Sequence, residues 1–326
     1  VVAADTCTGT TSEQGSTQEA PVAVDPAVQM ILDLLAQADG PALEDQTPDE
    51  ARASFAGLAM LAGEPPAVAR VENLDADGVA VIVYWPEGDG PHPVFIWVHG
   101  GGWVIGSAAE SDVTARDMCN RAGCMVVNVD YRLAPEHPFP APYDDVVTAT
   151  RWVQSTIASL GGDPKRVAIG GDSAGGNLSA AVAQSMPDAF VAQALVYPVT
   201  DCRMDRSPSL DENAEGYLLT KAGMIWFRDH YLSGGTDPAD VRVSPITALP
   251  EALASVPPAI VITAEFDPLR DEGEAYAHAM RDAGVEVELH RYDGHIHAFF
   301  SMLGAVPGAT DASNKVAAHL RHAFTT

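Results

Sequence analysis

RVAIGGDSAGGNLSAAVAQS, residues 166–185, joins a β-branched apolar run to a small-residue helix through one sharp turn. Within it Gly171, Ser173 and Gly175 spell G-x-S-x-G. A turn this tight strains the backbone of its central residue, and a glycine two positions to either side relieves the crowding. It lifts the serine hydroxyl above the end of the strand, at a helix N-terminus that favours developing negative charge. Alone the pentapeptide is weak, because an ordinary tight turn can carry the same residues. Its surroundings must decide.

Outward from this turn the alternation continues. Strand-like runs lie at 93–99 (PVFIWVH), 124–131, 166–171, 193–199, 258–265 and 285–292. Helical segments lie near 112–122, 142–160, 174–185, 220–231, 272–283 and 311–323. Near-continuous apolar strands alternating with helices predict an α/β fold, a parallel sheet covered on both faces. Working residues then belong on loops at the carboxyl ends of strands. Upstream, AVARVENL and VAVIVYW flank the turn DADG at 75–78 and read as two extended stretches. Before them, Asp25 caps a helix with Pro26 in its first turn and Val28, Ile31, Leu32 and Leu35 on one face. Thr47 and Glu50 offer a capping box for a second helix. These two amphipathic helices require an apolar surface to cover. Residues 1–24 show no period and read as a flexible tail.

Composition narrows the classes. With 326 residues, 47% apolar and 19% charged, the chain is long enough for one large α/β domain or two smaller ones. No apolar run approaches the roughly 20 residues of a membrane span. Forty-five acidic against 18 basic residues give a net charge of −27, which repels phosphate backbones and anionic membranes and argues against a nucleic-acid partner. Lysine occurs only at Lys165, Lys221 and Lys315, which fits a salt-rich habitat or a skewed genome composition equally. Cys7, Cys119, Cys124 and Cys202 are too few for a disulfide scaffold and lack zinc spacing; Cys119 and Cys124 read as core thiols. The chain starts at Val1, read as a processed or trimmed end. The compartment stays open, cytoplasm being preferred over a secreted or periplasmic site.

HGGGW, residues 99–103, follows the strand PVFIWV directly. Acyl transfer through a tetrahedral intermediate needs backbone N–H donors aimed at an oxyanion, and consecutive glycines let the main chain approach it. Phosphate cradling is the competing reading of a glycine loop. Neither G-x-x-x-x-G-K-[ST] nor G-x-G-x-x-G fits here.

Six stretches in this order, HGGGW at 99, YRLAPEHPFPAPYDD at 131, GGDSAGGN at 170, ENAEGYLLT at 212, EFDPLRDEG at 265 and GHIHAF at 294, resemble the bacterial hormone-sensitive-lipase family (family IV) of α/β-hydrolase esterases. The resemblance runs from about Asp25 to the C-terminus. It implies an α/β-hydrolase fold, with an eight-stranded, mostly parallel sheet flanked by helices and a helical cap. It implies a Ser-Asp-His triad, no cofactor, no metal, and a small-molecule ester of short acyl chain as substrate. The expected division is a cap from 25–75 and 200–235 over a catalytic domain from 76–199 and 236–326. Dimers occur among relatives, so a homodimer is implied by resemblance.

Position by position, the resemblance makes Ser173 the nucleophile, Asp267 the acid and His297 the base. The oxyanion donors become Ala174 with Gly101 and Gly102, Gly100 being the fallback. Ala298 stands where the family carries glycine. Alternatives remain: Asp201 as acid, His295 as base, or HIH at 295–297 as a metal pair. Asp271 and Glu272 read as partners of a helix N-terminus, and His99 as a residue holding its loop. Trp103, Met204, Tyr217, Trp226 and Phe227 are candidate substrate contacts, with cap or core packing as the plain reading. The chemistry expected is a serine carboxylesterase working through an acyl-enzyme. Its rivals are an amidase or deacetylase with the same triad and a non-catalytic ligand receptor, a class resembling plant gibberellin receptors and lacking the triad histidine.

Overall fold

The computed structural model describes residues 23–37 and 40–326. Its strands are β1 (Arg70–Ala76), β2 (Val79–Trp85), β3 (His92–Val98), β4 (Met125–Asp130), β5 (Gly162–Asp172), β6 (Ala192–Val196), β7 (Ala259–Phe266) and β8 (Val287–Ile296). Its α-helices are α1 (Pro26–Ala36), α2 (Pro48–Phe55), α3 (Asp112–Ala122), α4 (Ala141–Thr156), α5 (Ala174–Ser185), α6 (Pro208–Glu212), α7 (Lys221–Tyr231), α8 (Pro250–Leu253), α9 (Arg270–Asp282) and α10 (Pro307–Ala323).

The strands form one eight-stranded sheet in the order β1-β2-β4-β3-β5-β6-β7-β8. Only the β1–β2 and β2–β4 pairs are antiparallel. From β4 onward every neighbour is parallel, so the carboxyl ends of β3 and β5 to β8 open toward the same edge. Alternate residues of β3 serve opposite faces, as a period of two requires. Val94, Ile96 and Val98 join a core with α4 and α5. Phe95 and Trp97 join another with α3 and α10. Burial on both faces explains why the central strands read as continuous apolar runs.

The two N-terminal helices begin as their caps dictate. Asp25 accepts from Ala27 N–H at 2.8 Å, and Thr47 and Glu50 close the reciprocal capping box. The helix after Thr47 changes character at Ala56, where a 3₁₀ turn runs to Ala62. Residues 43–62 and α7 together wall a cavity above the carboxyl ends of the strands. The expected cap range 25–75 needs correction. Its last residues form β1, an edge strand whose outward residues are exposed and which therefore carries little apolar signal. Helix α1 packs against β8, with Asp25 N–H donating to Gly294 O at 2.9 Å. The expected flexible tail falls at residues 1–22 outside the described residues, while Val24 packs against the α3–α10 core. Cys119, Cys124 and Cys202 are buried and unbridged; burial pushes the Cys119 thiol up to about 12.

Candidate active site

Ser173 stands between β5 and α5 with φ 55° and ψ −118°. A non-glycine residue held there costs about 1–3 kcal/mol, so its surroundings must over-determine it. They do: Ser173 N–H donates to Val196 O of β6 at 2.9 Å, and Ser173 O accepts from Asn177 N–H at 3.0 Å. Asn177 is itself buried, its amide donating to Val199 O and Val243 O at 2.9 Å each. The flanking glycines have a specific cause. A Cβ on Gly175 would lie 2.5 Å from His99 O and nearer still to Val98 O, and one on Gly171 would lie 2.6 Å from the Gly175 carbonyl carbon. The end of β3, which launches the glycine loop, passes directly against the serine turn.

His297 follows β8 by one residue. Its Nε2 lies 2.9 Å from Ser173 Oγ, and its Nδ1 lies 2.7 Å from Asp267 Oδ2. A carboxylate can only accept, so Nδ1 carries hydrogen and the Nε2 lone pair faces the serine hydroxyl. Ser173 and His297 are each 7% exposed and Asp267 is fully buried, so water competes little for these bonds. The other carboxylate oxygen of Asp267 accepts from Leu269 N–H at 2.8 Å, and the Asn213 amide donates to Asp267 O at 3.2 Å. Ala298 has φ 68°, a left-handed conformation that glycine adopts without penalty; this is a physical reason for glycine in relatives.

The alternatives are placed elsewhere. The Asp201 carboxylate pairs with Arg203 at 2.6 Å. His295 is buried on β8 against Tyr292 and Phe299, with Nδ1 bonded to Asp293 O at 2.8 Å. No group of three or more His, Cys, Asp or Glu side chains among the described residues is arranged to hold a metal. Asp271 stands in the first turn of α9, and its carboxylate accepts from Ser209 N–H of α6 at 2.8 Å. Glu272 departs from that reading. It is 3% exposed and accepts from Thr200 N–H at 2.7 Å and Asp201 N–H at 3.2 Å. Burial pushes its carboxyl up to about 8.

The glycine loop is pinned from three sides. Tyr131 OH donates to His99 O at 3.0 Å, and Ala134 N–H donates to Trp103 O at 2.9 Å. Arg52 of α2 donates to Val104 O at 2.9 Å and Ala134 O at 3.0 Å while pairing with Glu136 at 2.7 Å. Gly101 and Gly102 have φ of 112° and 57°. Their N–H groups have no acceptor among the described residues, and both glycines line the cavity with Ser173. Ala174 opens α5, where first-turn N–H groups lack partners within the helix. Gly100 is corrected as a fallback donor: its N–H is spent on Asp172 Oδ1 at 2.9 Å. Asp172 lies beside the nucleophile, and burial pushes its carboxyl up to about 6 against the opposing pull of His297. Sequence reasoning assigned no role to Arg52, Tyr131, Asp172 or Asn213, although the last three sit inside motifs it quoted.

The cavity at Ser173 measures about 180 Å³ and is mainly apolar, with Leu43, Phe55, Leu58, Leu219, Met224 and Phe227 on its cap side. Of the five candidate contacts only Phe227 lines it. Trp103 is fully buried, stacked on Tyr231 at 4.2 Å. Tyr217 stacks on Phe266 at 5.0 Å, Trp226 packs on His230 at 4.3 Å, and Met204 lines a separate groove near Lys221. Aromatic character alone cannot tell a packed ring from a lining one, and Leu and Met supply most of this wall.

The profile of a family with the α/β-hydrolase fold matches residues 95–301. A carboxylic ester hydrolase of Mycobacterium tuberculosis (LipN) is 39% identical over 91% of this chain and 82% of its own length. An ethyl acetate hydrolase of Pseudomonas putida is 36% identical over 78% of this chain and 83% of its own. Among solved structures, the hyperthermophilic esterase of Pyrobaculum calidifontis superposes with a TM-score of 0.86 at 36% identity, covering 93% of this chain and 100% of that one. No helix among the described residues is long and apolar enough to cross a membrane. With this fold and these relatives, the chain belongs to the hormone-sensitive-lipase-like family of α/β-hydrolase carboxylesterases.

Proposed function

We propose that the protein hydrolyses short-chain carboxylic esters by an acyl-enzyme mechanism, with Ser173 as nucleophile, His297 as general base and acid, and Asp267 as the group orienting His297. The observation that carries this is the unbroken chain from Ser173 Oγ to His297 at 2.9 Å and on to Asp267 at 2.7 Å. Ser173 attacks the ester carbonyl while Nε2 takes its proton; the buried Asp267 stabilises the imidazolium without accepting that proton. The N–H groups of Gly101, Gly102 and Ala174 receive the oxyanion. His297 then protonates the departing alkoxide and activates the water that releases the acid. A cavity of about 180 Å³ falls below the roughly 300–1,000 Å³ of sites for drug-sized ligands, which favours small acyl groups. A receptor reading has no use for a histidine held against the serine.

The test is hydrolysis of p-nitrophenyl acetate, butyrate and dodecanoate, and of butyryl anilide, by wild type and Ser173→Ala. Fast butyrate turnover, slow dodecanoate and anilide turnover and a silent variant are expected. An equally active Ser173→Ala would remove the proposal. Assembly as a homodimer belongs to the same proposal on family resemblance alone; a monomer mass in light scattering would strike it out.

A further inference from the structure

Arg52 ties the cap to the glycine loop through every donor it has. It stands on α2, three residues before Phe55, which lines the cavity. Its Nε–H donates to Val104 O at 2.9 Å, and Nη2 donates to Ala134 O at 3.0 Å and to Glu136 Oε2 at 2.7 Å. Nη1 donates to Glu136 Oε1 at 2.9 Å and to Asp49 Oδ1 at 3.1 Å. A guanidinium carries five N–H donors in a rigid plane, and all five are used. The bonds from Arg52 hold the Glu136 carboxyl down at about 2, so the pair is charged at neutral pH. An ion pair near the surface contributes little by itself. The two backbone carbonyls set this one apart.

Val104 O leads to the oxyanion hole in two steps. A trans peptide holds its C=O and N–H antiparallel in one plane, so fixing one aims the other. The Val104–Ile105 peptide gives its oxygen to Arg52 and its N–H to Gly101 O, 2.9 Å away. The Gly101–Gly102 peptide takes that bond on its oxygen, with a second from Val104 N–H at 3.1 Å. Both peptides are trans. The Gly102 N–H is thereby turned away from the loop's own bonds, and it has no acceptor among the described residues. The run goes from Arg52 Nε–H to Val104 O, from Ile105 N–H to Gly101 O, and ends on Gly102 N–H. Hydrogen bonds arranged head to tail polarise one another, and a cation at the head makes the first of them strong. A negative charge forming beyond Gly102 N–H therefore meets a better donor than an isolated amide.

We propose that Arg52 is a positioning residue for the oxyanion hole, its guanidinium aiming and polarising the Gly102 N–H through two peptide units. This rests on the esterase reading and adds to it a cap residue that acts on the reacting oxygen only through others. Arg52→Met keeps the aliphatic stem and removes all five donors. Arg52→Lys keeps the charge without the planar fork and serves if the first variant fails to fold. Glu136→Gln removes the ion pair and leaves the bond to Val104 O in place. On p-nitrophenyl butyrate, kcat should fall about 10- to 100-fold in either Arg52 variant with KM within about threefold, the pattern of an interaction made in the transition state. Glu136→Gln should keep kcat within about threefold of wild type. The second readout is inhibition by butyl trifluoromethyl ketone, which Ser173 can convert to a tetrahedral oxyanion, and by the alcohol made by reducing it, which forms none. The ketone should weaken in step with kcat while the alcohol binds as before. Wild-type kcat in a folded Arg52 variant, equal weakening of ketone and alcohol, or the same loss from Glu136→Gln would overturn the inference and leave the esterase reading intact. A wild type that hydrolyses no ester would remove both.

Discussion

Gly102→Ala should disable the enzyme through one identifiable neighbour. Gly102 has φ 57°, where an L-residue costs about 1–2 kcal/mol. Its Cβ would overlap Cγ and Cδ1 of Phe227 and come within 2.7 Å of Cδ2, and such overpacking adds about 1–3 kcal/mol. The loop must yield or the ring must. The loop end at Trp103 is tied by Ala134 and its indole is stacked on Tyr231, while Phe227 is itself 4% exposed on α7. If the loop gives way and one oxyanion donor is misplaced, kcat falls about 10²–10³-fold. In a Phe227→Ala background the clash is gone and only the backbone term survives, so the same glycine change should cost about tenfold. The double-mutant cycle on p-nitrophenyl butyrate should then show a coupling of at least about 1.4 kcal/mol. A Gly102→Ala enzyme at wild-type rate, or a loss of equal size in both backgrounds, would refute this account of the loop.

Two further outcomes follow from buried carboxylates. Asp172→Ala leaves the Gly100 N–H without its acceptor and should lower kcat about tenfold or more, while Asp172→Asn, which keeps an acceptor oxygen, should recover most of it; equal losses would point to charge instead of the hydrogen bond. Burial pushes the Glu272 carboxyl from the ordinary 4.5 up to about 8, so the native state binds its proton more tightly than the unfolded state. Its ionisation costs nothing below about pH 4.5 and builds to its full penalty as pH rises through about 8. Thermal unfolding should therefore show wild type losing stability between pH 5 and 9, and Glu272→Gln losing distinctly less; identical pH slopes would contradict the assignment.

Most of the architecture was legible because buried parallel strands and amphipathic helices write strong periods. The segments 112–122 and 174–185 match α3 and α5 to the residue. The edge strand β1 was harder to place because its outward residues face solvent. The residues assembled at Ser173 came from ordered motifs, whose spacing encodes strand ends. What sequence could not supply was who bonds to whom. That Gly100 is committed to Asp172, that Arg52 reaches across to Val104 O, and that Trp103 packs inward depend on contacts between residues 72, 52 and 128 positions apart. The Gly preference at position 298 is different, since a family pattern signalled it and φ 68° supplies its cause.

The most direct test of the proposed chemistry compares p-nitrophenyl butyrate hydrolysis by wild type, His297→Ala and His295→Ala. His297 bridges Ser173 and Asp267, whereas His295 is held by Asp293 O outside the cavity. A loss of about a thousandfold or more on removing His297, with at most a modest loss on removing His295, is the predicted result. Near-wild-type turnover by His297→Ala would contradict the proposed mechanism at its centre.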